Sequence, residues 1–374
     1  MLDRQEPNEF NPSRLALARR RRGTNQTALA KQLLVDARTI RAYEAGDIVP
    51  SEVPLARLSE VLEFPIDFFF GEDLETPHEE GVSFRSLSTM TAGRRDMALA
   101  QGALALMFNR WIEERFELPQ SEVPDLRHLS STPEEAADTL RRLWGLGELP
   151  IRNMVHLLES KGVRAFSLSL ESKEVDAFSM WAGDTPIVML NNFKSAERSR
   201  FDAAHELAHL ALHRHGPCNN SRELEGHADA FASSFLMPRH SMIASAPKFA
   251  TLASLKTLKA RWGVSLSALV YRLHRLELLS DWHYRSLCIE IGKRGFRTKE
   301  PNEGARESSK VWQAILKDLY QEGGITKADI AKDLCLPLGE VDALLFGLTL
   351  EAVAGGRAAS GKPAERSGGL TRVK

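Results

Sequence analysis

Four histidines and a glutamate crowd the stretch FDAAHELAHLALHRHGPC, Phe201 to Cys218. Imidazole is a common ligand for transition metals, and two residues four apart on a helix project from one face, one turn apart. His205 and His209 have that spacing, in a segment that follows Ser195, a candidate N-cap, and carries Phe201, Ala204, Ala208 and Ala211 at helical intervals. A rigid helix can aim two such ring nitrogens at one point roughly 2 Å away, the distance zinc requires. Glu206 then lies beside the metal without bonding it, placed to take a proton from metal-bound water. The pattern H-E-x-x-H therefore predicts Zn2+ as cofactor, His205 and His209 as ligands and Glu206 as the catalytic base.

A hydrolytic zinc ion needs a third protein ligand and an open fourth position. His215, six residues after His209, is one candidate, but that geometry requires a sharp break after the second ligand, a role suited to glycine, and the chain has Leu212 there. Glu225 is the other, in SRELEGHADAFASSFLMP, where Ala228, Phe231, Ala232, Phe235 and Leu236 recur at helical spacing until Pro238. Glu225 completes a His2Glu set, and Asp229, one turn on, is placed to accept the second N–H of a ligand histidine and fix its tautomer. Alone, these two acids are the wet side of an amphipathic helix; following H-E-x-x-H at short range, they favour the site. His213, His227 and His240 stand nearby as lesser candidates for substrate or oxyanion contacts.

Something must hold these two helices against each other. GVRAFSLSL and VDAFSMWAGDTPIVMLNN alternate with period two around the turn residues Gly183 to Pro186, predicting a small antiparallel sheet just before the histidine helix. Elsewhere the spacing is helical: MALAQGALALMFNRWIEERF, PEEAADTLRRLWGL with its proline at a helix start, and TLASLKTLKARWGVSLSALVYRLHRLELL. The expected class is mainly α with a small antiparallel β-sheet. At 374 residues, 43% hydrophobic and 26% charged, the chain has room for several domains and no apolar run of membrane-spanning length. Its first residues, MLDRQEPNEFNPS, lack the apolar core of a signal peptide, so the expected location is cytoplasmic. Three cysteines, Cys218, Cys288 and Cys335, without a CxxC pair, exclude a cysteine-based zinc knuckle.

HELAH, then E-x-x-A-D-x-F-A (Glu225, Ala228, Asp229, Phe231, Ala232) and FLMP (Phe235 to Pro238), resembles the ImmA/IrrE family of metallo-endopeptidases. The likeness extends to the preceding strand pair, to WGVSLSALVYRLHRLELL and to FRSLS at Phe84 to Ser88. It implies a zincin-like peptidase domain with a gluzincin-like site, ligands His205, His209 and Glu225, base Glu206, and as substrates DNA-binding repressors or antitoxins.

Upstream, NQTALAKQLLVDARTIRAYEAGDIVPS, Asn25 to Ser51, resembles the helix-turn-helix of the XRE (Cro/repressor-like) family, with Leu29, Ala30, Leu33, Ile40 and Tyr43 as its small core. Arg14 to Arg41 contain seven arginines and one lysine against one acid, Asp36, a balance suited to a polyanion. Asp36 caps the third helix, whose early side chains Arg38, Thr39 and Arg41 are expected at base edges of a double-stranded DNA operator, with Gln26 at base or phosphate and Arg19 to Arg22 on phosphates. The boundaries that follow are 1–75 for a lambda-repressor-like DNA-binding domain, 76–145 for a helical linker region, 146–300 for the peptidase domain, 301–350 for a small helical unit and 351–374 for a disordered tail. The helical unit carries Asp329, Asp333, Glu340 and Asp342 against Lys327 and Lys332, which suits packing or dimerisation better than phosphate contact. Two functions compete: a peptidase that cuts a partner repressor or antitoxin, and a regulator or antitoxin that uses the zinc domain only for sensing, with a cognate toxin or a second copy of the chain as partner.

Overall fold

Caps and breakers in the sequence set the helix ends. The computed structural model describes residues 9–77, 83–84, 91–128, 132–169, 177–214, 222–349 and 371–372. In it α1 (Pro12–Arg21), α2 (Gln26–Leu33), α3 (Ala37–Ala45) and α4 (Glu52–Leu62) follow one another, with Asn11, Asn25 and Asp36 side chains each accepting a first-turn N–H. Gly46 ends α3 in the left-handed region, φ 78°, where a side chain would be strained. Leu29, Ala30, Leu33, Ile40 and Tyr43 are all buried, so the expected small core is present.

Then come β1 (Ser83–Phe84), α5 (Ala92–Glu113), β2 (Phe116–Glu117), α6 (Pro133–Leu143), α7 (Met154–Ser160), β3 (Arg164–Ser167), β4 (Ala177–Ala182) and β5 (Thr185–Leu190). After them the chain is helical: α8 (Ala196–Leu212), α9 (Arg222–Leu236), α10 (Arg239–Ser245), α11 (Leu252–Trp262), α12 (Leu266–Arg275), α13 (Asp281–Lys293), α14 (Lys310–Gly323), α15 (Lys327–Asp333) and α16 (Leu338–Leu345), with β6 (Thr371–Arg372) paired to β2. The described residues are mainly helical, with a small four-stranded sheet beside the histidine helix and the two-stranded β2–β6 pair apart from it. None of the described helices is long and apolar enough to cross a membrane.

The sheet has the order β1-β4-β5-β3. The β4–β5 hairpin is antiparallel through a turn with Gly183 at φ 56°, but β3 runs parallel to β5, from Arg164 opposite Ile187 to Ser167 opposite Leu190. The expectation of an all-antiparallel sheet is corrected in this strand. Alternation fixes which face a residue takes and carries no information on the neighbour's direction; β3 is buried along its whole length, as parallel strands are.

α5, from the stretch read as a linker, contributes Ala98, Ala103, Leu104 and Phe108 to the core. The Phe108 ring stacks on Trp312 of α14 at 5.2 Å, and Trp312 donates its indole N–H to the Ala165 carbonyl of β3 at 2.7 Å. The C-terminal helices thus pack directly on the sheet. His215, Cys218, residues 85–88 of FRSLS and most of the 351–374 tail lie outside the described residues.

Candidate metal centre and nucleic-acid interface

α8 begins where Ser195 accepts the Arg198 N–H, and it packs against both α9 and the β4–β5 hairpin. His205 and Glu206 are completely buried and His209 nearly so. Across from them, α9 is seated by Phe231 and Phe235, whose rings stack 5.6 Å apart in the core. This packing brings Glu225 to the histidines. His205 Nε2 lies 3.1 Å from His209 Nε2, Glu225 Oε2 lies 3.2 Å from the first and Oε1 3.4 Å from the second.

His205 Nδ1 is 2.9 Å from Asp229 Oδ1, a contact in which the ring nitrogen donates. With its proton there, Nε2 of neutral His205 presents a lone pair, so the short contact to Glu225 Oε2 sets two acceptors against each other. That oxygen has no hydrogen-bond partner. Lone pairs converging without a proton call for a cation. Ligand atoms about 2.0–2.1 Å from one tetrahedral zinc lie roughly 3.3–3.4 Å apart, close to the spacings seen. The donor set and its dimensions fit such an ion. Among the described residues His205, His209 and Glu225 are also the one group of this kind, with ligand atoms within 4.8 Å of one another.

Burial pushes the Glu206 carboxyl up to about 8; the neighbouring His205 and a hydrogen bond from Ser179 oppose this, and the Glu225 and Asp202 charges add to it. Burial also acts to raise Glu225, yet the adjacent His205 and His209 rings, which offer it N–H groups and positive charge when protonated, hold it down at about 2. Desolvation lowers His209, and with the neighbouring His209 and His227 it lowers His213 to about 4. The two carboxyls, Glu206 on α8 and Glu225 on α9, are thereby driven in opposite directions. Ser179 Oγ donates to Glu206 Oε2 at 2.7 Å, leaving Oε1 without a protein partner. Sequence reasoning missed Ser179. Its only trace is a buried hydroxyl in the otherwise apolar run Ala177 to Met180.

Residues 158–274 match the Peptidase_M78 family model, the IrrE N-terminal-like domain, and residues 15–69 match a helix-turn-helix model. The chain thus carries one segment similar to a helix-turn-helix and another similar to the IrrE N-terminal-like domain. No curated protein matches it. The matched segment contains β3 to β5, α8 to α11 and all but the last residue of α12, hence every residue of the centre described above.

In the helix-turn-helix, Arg38 and Arg41 of α3 are exposed and Thr39 is half-buried, while the Asp36 carboxylate accepts the Arg38 N–H at 2.7 Å. Gln26 is engaged within the protein: its amide donates to Glu44 Oε2 at 2.6 Å, and Glu44 also pairs with Arg19 at 2.5 Å. The arginine run is likewise not a free cationic face. Arg21 and Arg22 pair with the buried Glu340 of α16 at 2.8 and 2.6 Å, which leaves Arg20 as the exposed member. The reason lies in the fold: α16, more than 300 residues away in sequence, returns to α1.

Proposed function

We propose that this protein is a DNA-binding regulator whose second domain is a zinc-dependent endopeptidase acting on a partner protein, a helix-turn-helix repressor or an antitoxin. The observation that carries the reading is the convergence of His205 Nε2, His209 Nε2 and Glu225 at 3.1–3.4 Å beside a fully buried Glu206. His205, His209 and Glu225 would hold Zn2+, which supplies Lewis-acid polarisation of a carbonyl and a more acidic water. Asp229 fixes the His205 tautomer. Ser179 takes one oxygen of Glu206 and orients the other, free oxygen for proton exchange: it accepts a proton from the attacking water and returns one to the leaving amine. With a cation held by His205, His209 and Glu225, the ionised form of Glu206 would be favoured, and the residue would serve as a base. Arg38, Thr39 and Arg41 read an operator, and Gln26, already bonded to Glu44, braces the start of α2 and contributes at most a secondary contact.

The test compares new protein N-termini in cells expressing the wild type or Glu206→Gln. A set of N-termini present with the wild type and absent with the variant, both proteins retaining zinc, supports the reading. Identical sets would instead leave a non-proteolytic regulator that uses its metal domain for sensing or partner binding.

A further inference from the structure

The two histidines of the centre are held differently, and the difference assigns a role to a third. A neutral imidazole that offers Nε2 as a lone pair carries its proton on Nδ1, and that N–H needs an acceptor. For His205 the acceptor is the Asp229 carboxylate at 2.9 Å. For His209 it is another ring: His213 Nδ1 lies 3.0 Å from His209 Nδ1. His213 caps the C-terminus of α8, its own backbone N–H bonded to the His209 carbonyl at 2.9 Å, so the helix itself sets one ring a turn beyond the other.

We infer that His213 is a positioning residue that fixes His209 in the tautomer able to bind metal through Nε2. Only one proton fits between the two facing Nδ1 atoms. If His209 donates it, His213 accepts through Nδ1 and carries its own proton on Nε2; if His213 donates it, the His209 proton moves to Nε2 and the ligand position is closed. The first arrangement leaves three converging lone pairs, and the second places an N–H among them. The acceptor behind His205 is anionic and that behind His209 is neutral. The centre thus gains orientation at its second histidine without a further negative charge beside Glu225, Asp229 and Glu206.

This inference rests on the metal-centre reading, and the experiment separates the two. Ring 15N shifts of His209 in the metal-free protein report its tautomer directly, and zinc affinity is read by competition with a chromophoric chelator. The wild type is expected to show protonation at Nδ1. His213→Leu, which has no acceptor, should shift His209 toward the Nε2-protonated form and weaken zinc binding about ten- to a hundredfold. His213→Gln, whose amide oxygen can accept, should restore both, which a purely space-filling role would not require. An unchanged His209 tautomer in His213→Leu, or equal loss of zinc in both variants, overturns the assignment. Absence of zinc binding by the wild type counts against the metal centre itself, while the 15N shifts still decide the tautomer.

Discussion

A carboxyl group that is completely buried and shares only one oxygen with a hydroxyl is costly to ionise, and Glu206 is such a group. Its value rises from 4.5 to about 8, chiefly through burial. Folding therefore favours its protonated form: in the metal-free protein this stabilisation is complete below the ordinary value and is lost as pH rises through about 8. Metal-free wild type should lose a few degrees of Tm relative to Glu206→Gln on going from about pH 5 to about pH 8. Thermal melts in the presence of a chelator check this, and parallel curves for the two proteins would contradict it. The residues of the H-E-x-x-H pattern were legible because their spacing is local. Ser179 and His213 gain their meaning from contacts with Glu206 and His209, and a lone serine in a strand or histidine at a helix end reveals neither.

At the scale of elements, most boundaries follow from capping residues that act over three positions. Asn25, Asp36, Thr132 and Ser195 each accept an N–H of the turn they begin, and Pro238 follows the last residues of α9. The turn between α2 and α3 departs from the usual chemistry. Leu34 caps α2 at φ 58° with 86% of its surface exposed, so it accepts left-handed strain while burying almost nothing. Leu34→Gly should relieve that strain by about 1–2 kcal/mol, partly offset by the greater freedom of glycine in the unfolded chain, for a net gain of up to about 1 kcal/mol. Chemical denaturation measures it; a destabilised variant would mean that Leu34 is covered by something in solution. What could not be read locally is direction and partner. The parallel pairing of β3 with β5 depends on how the chain returns across the sheet, and no periodicity records that.

The two ends of the chain are tied together at Glu340, a buried carboxylate with one oxygen engaged by Arg21 of α1 and the other by Arg22, which caps that helix. α16 also packs on β3, and the Phe346 carbonyl just beyond it accepts the Asn192 amide at 2.7 Å, so this one helix touches both the helix-turn-helix and the sheet behind the candidate metal centre. Charge counting along the sequence rated the C-terminal acids as poor for phosphate contact but gave no hint that one of them neutralises the N-terminal arginines. Glu340→Ala leaves Arg21 buried beside an empty partner position and should cost about 3–5 kcal/mol, with faster amide exchange in α1 and α16. Exchange confined to α16 would show that the two helices are not coupled. The central claim, however, is the ion held between α8 and α9. Elemental mass spectrometry of the wild type and Glu225→Ala tests it most directly: about one zinc per chain in the first and a small fraction of that in the second is the predicted result. Equal zinc in both, or none in the wild type after metal loading, would contradict the account.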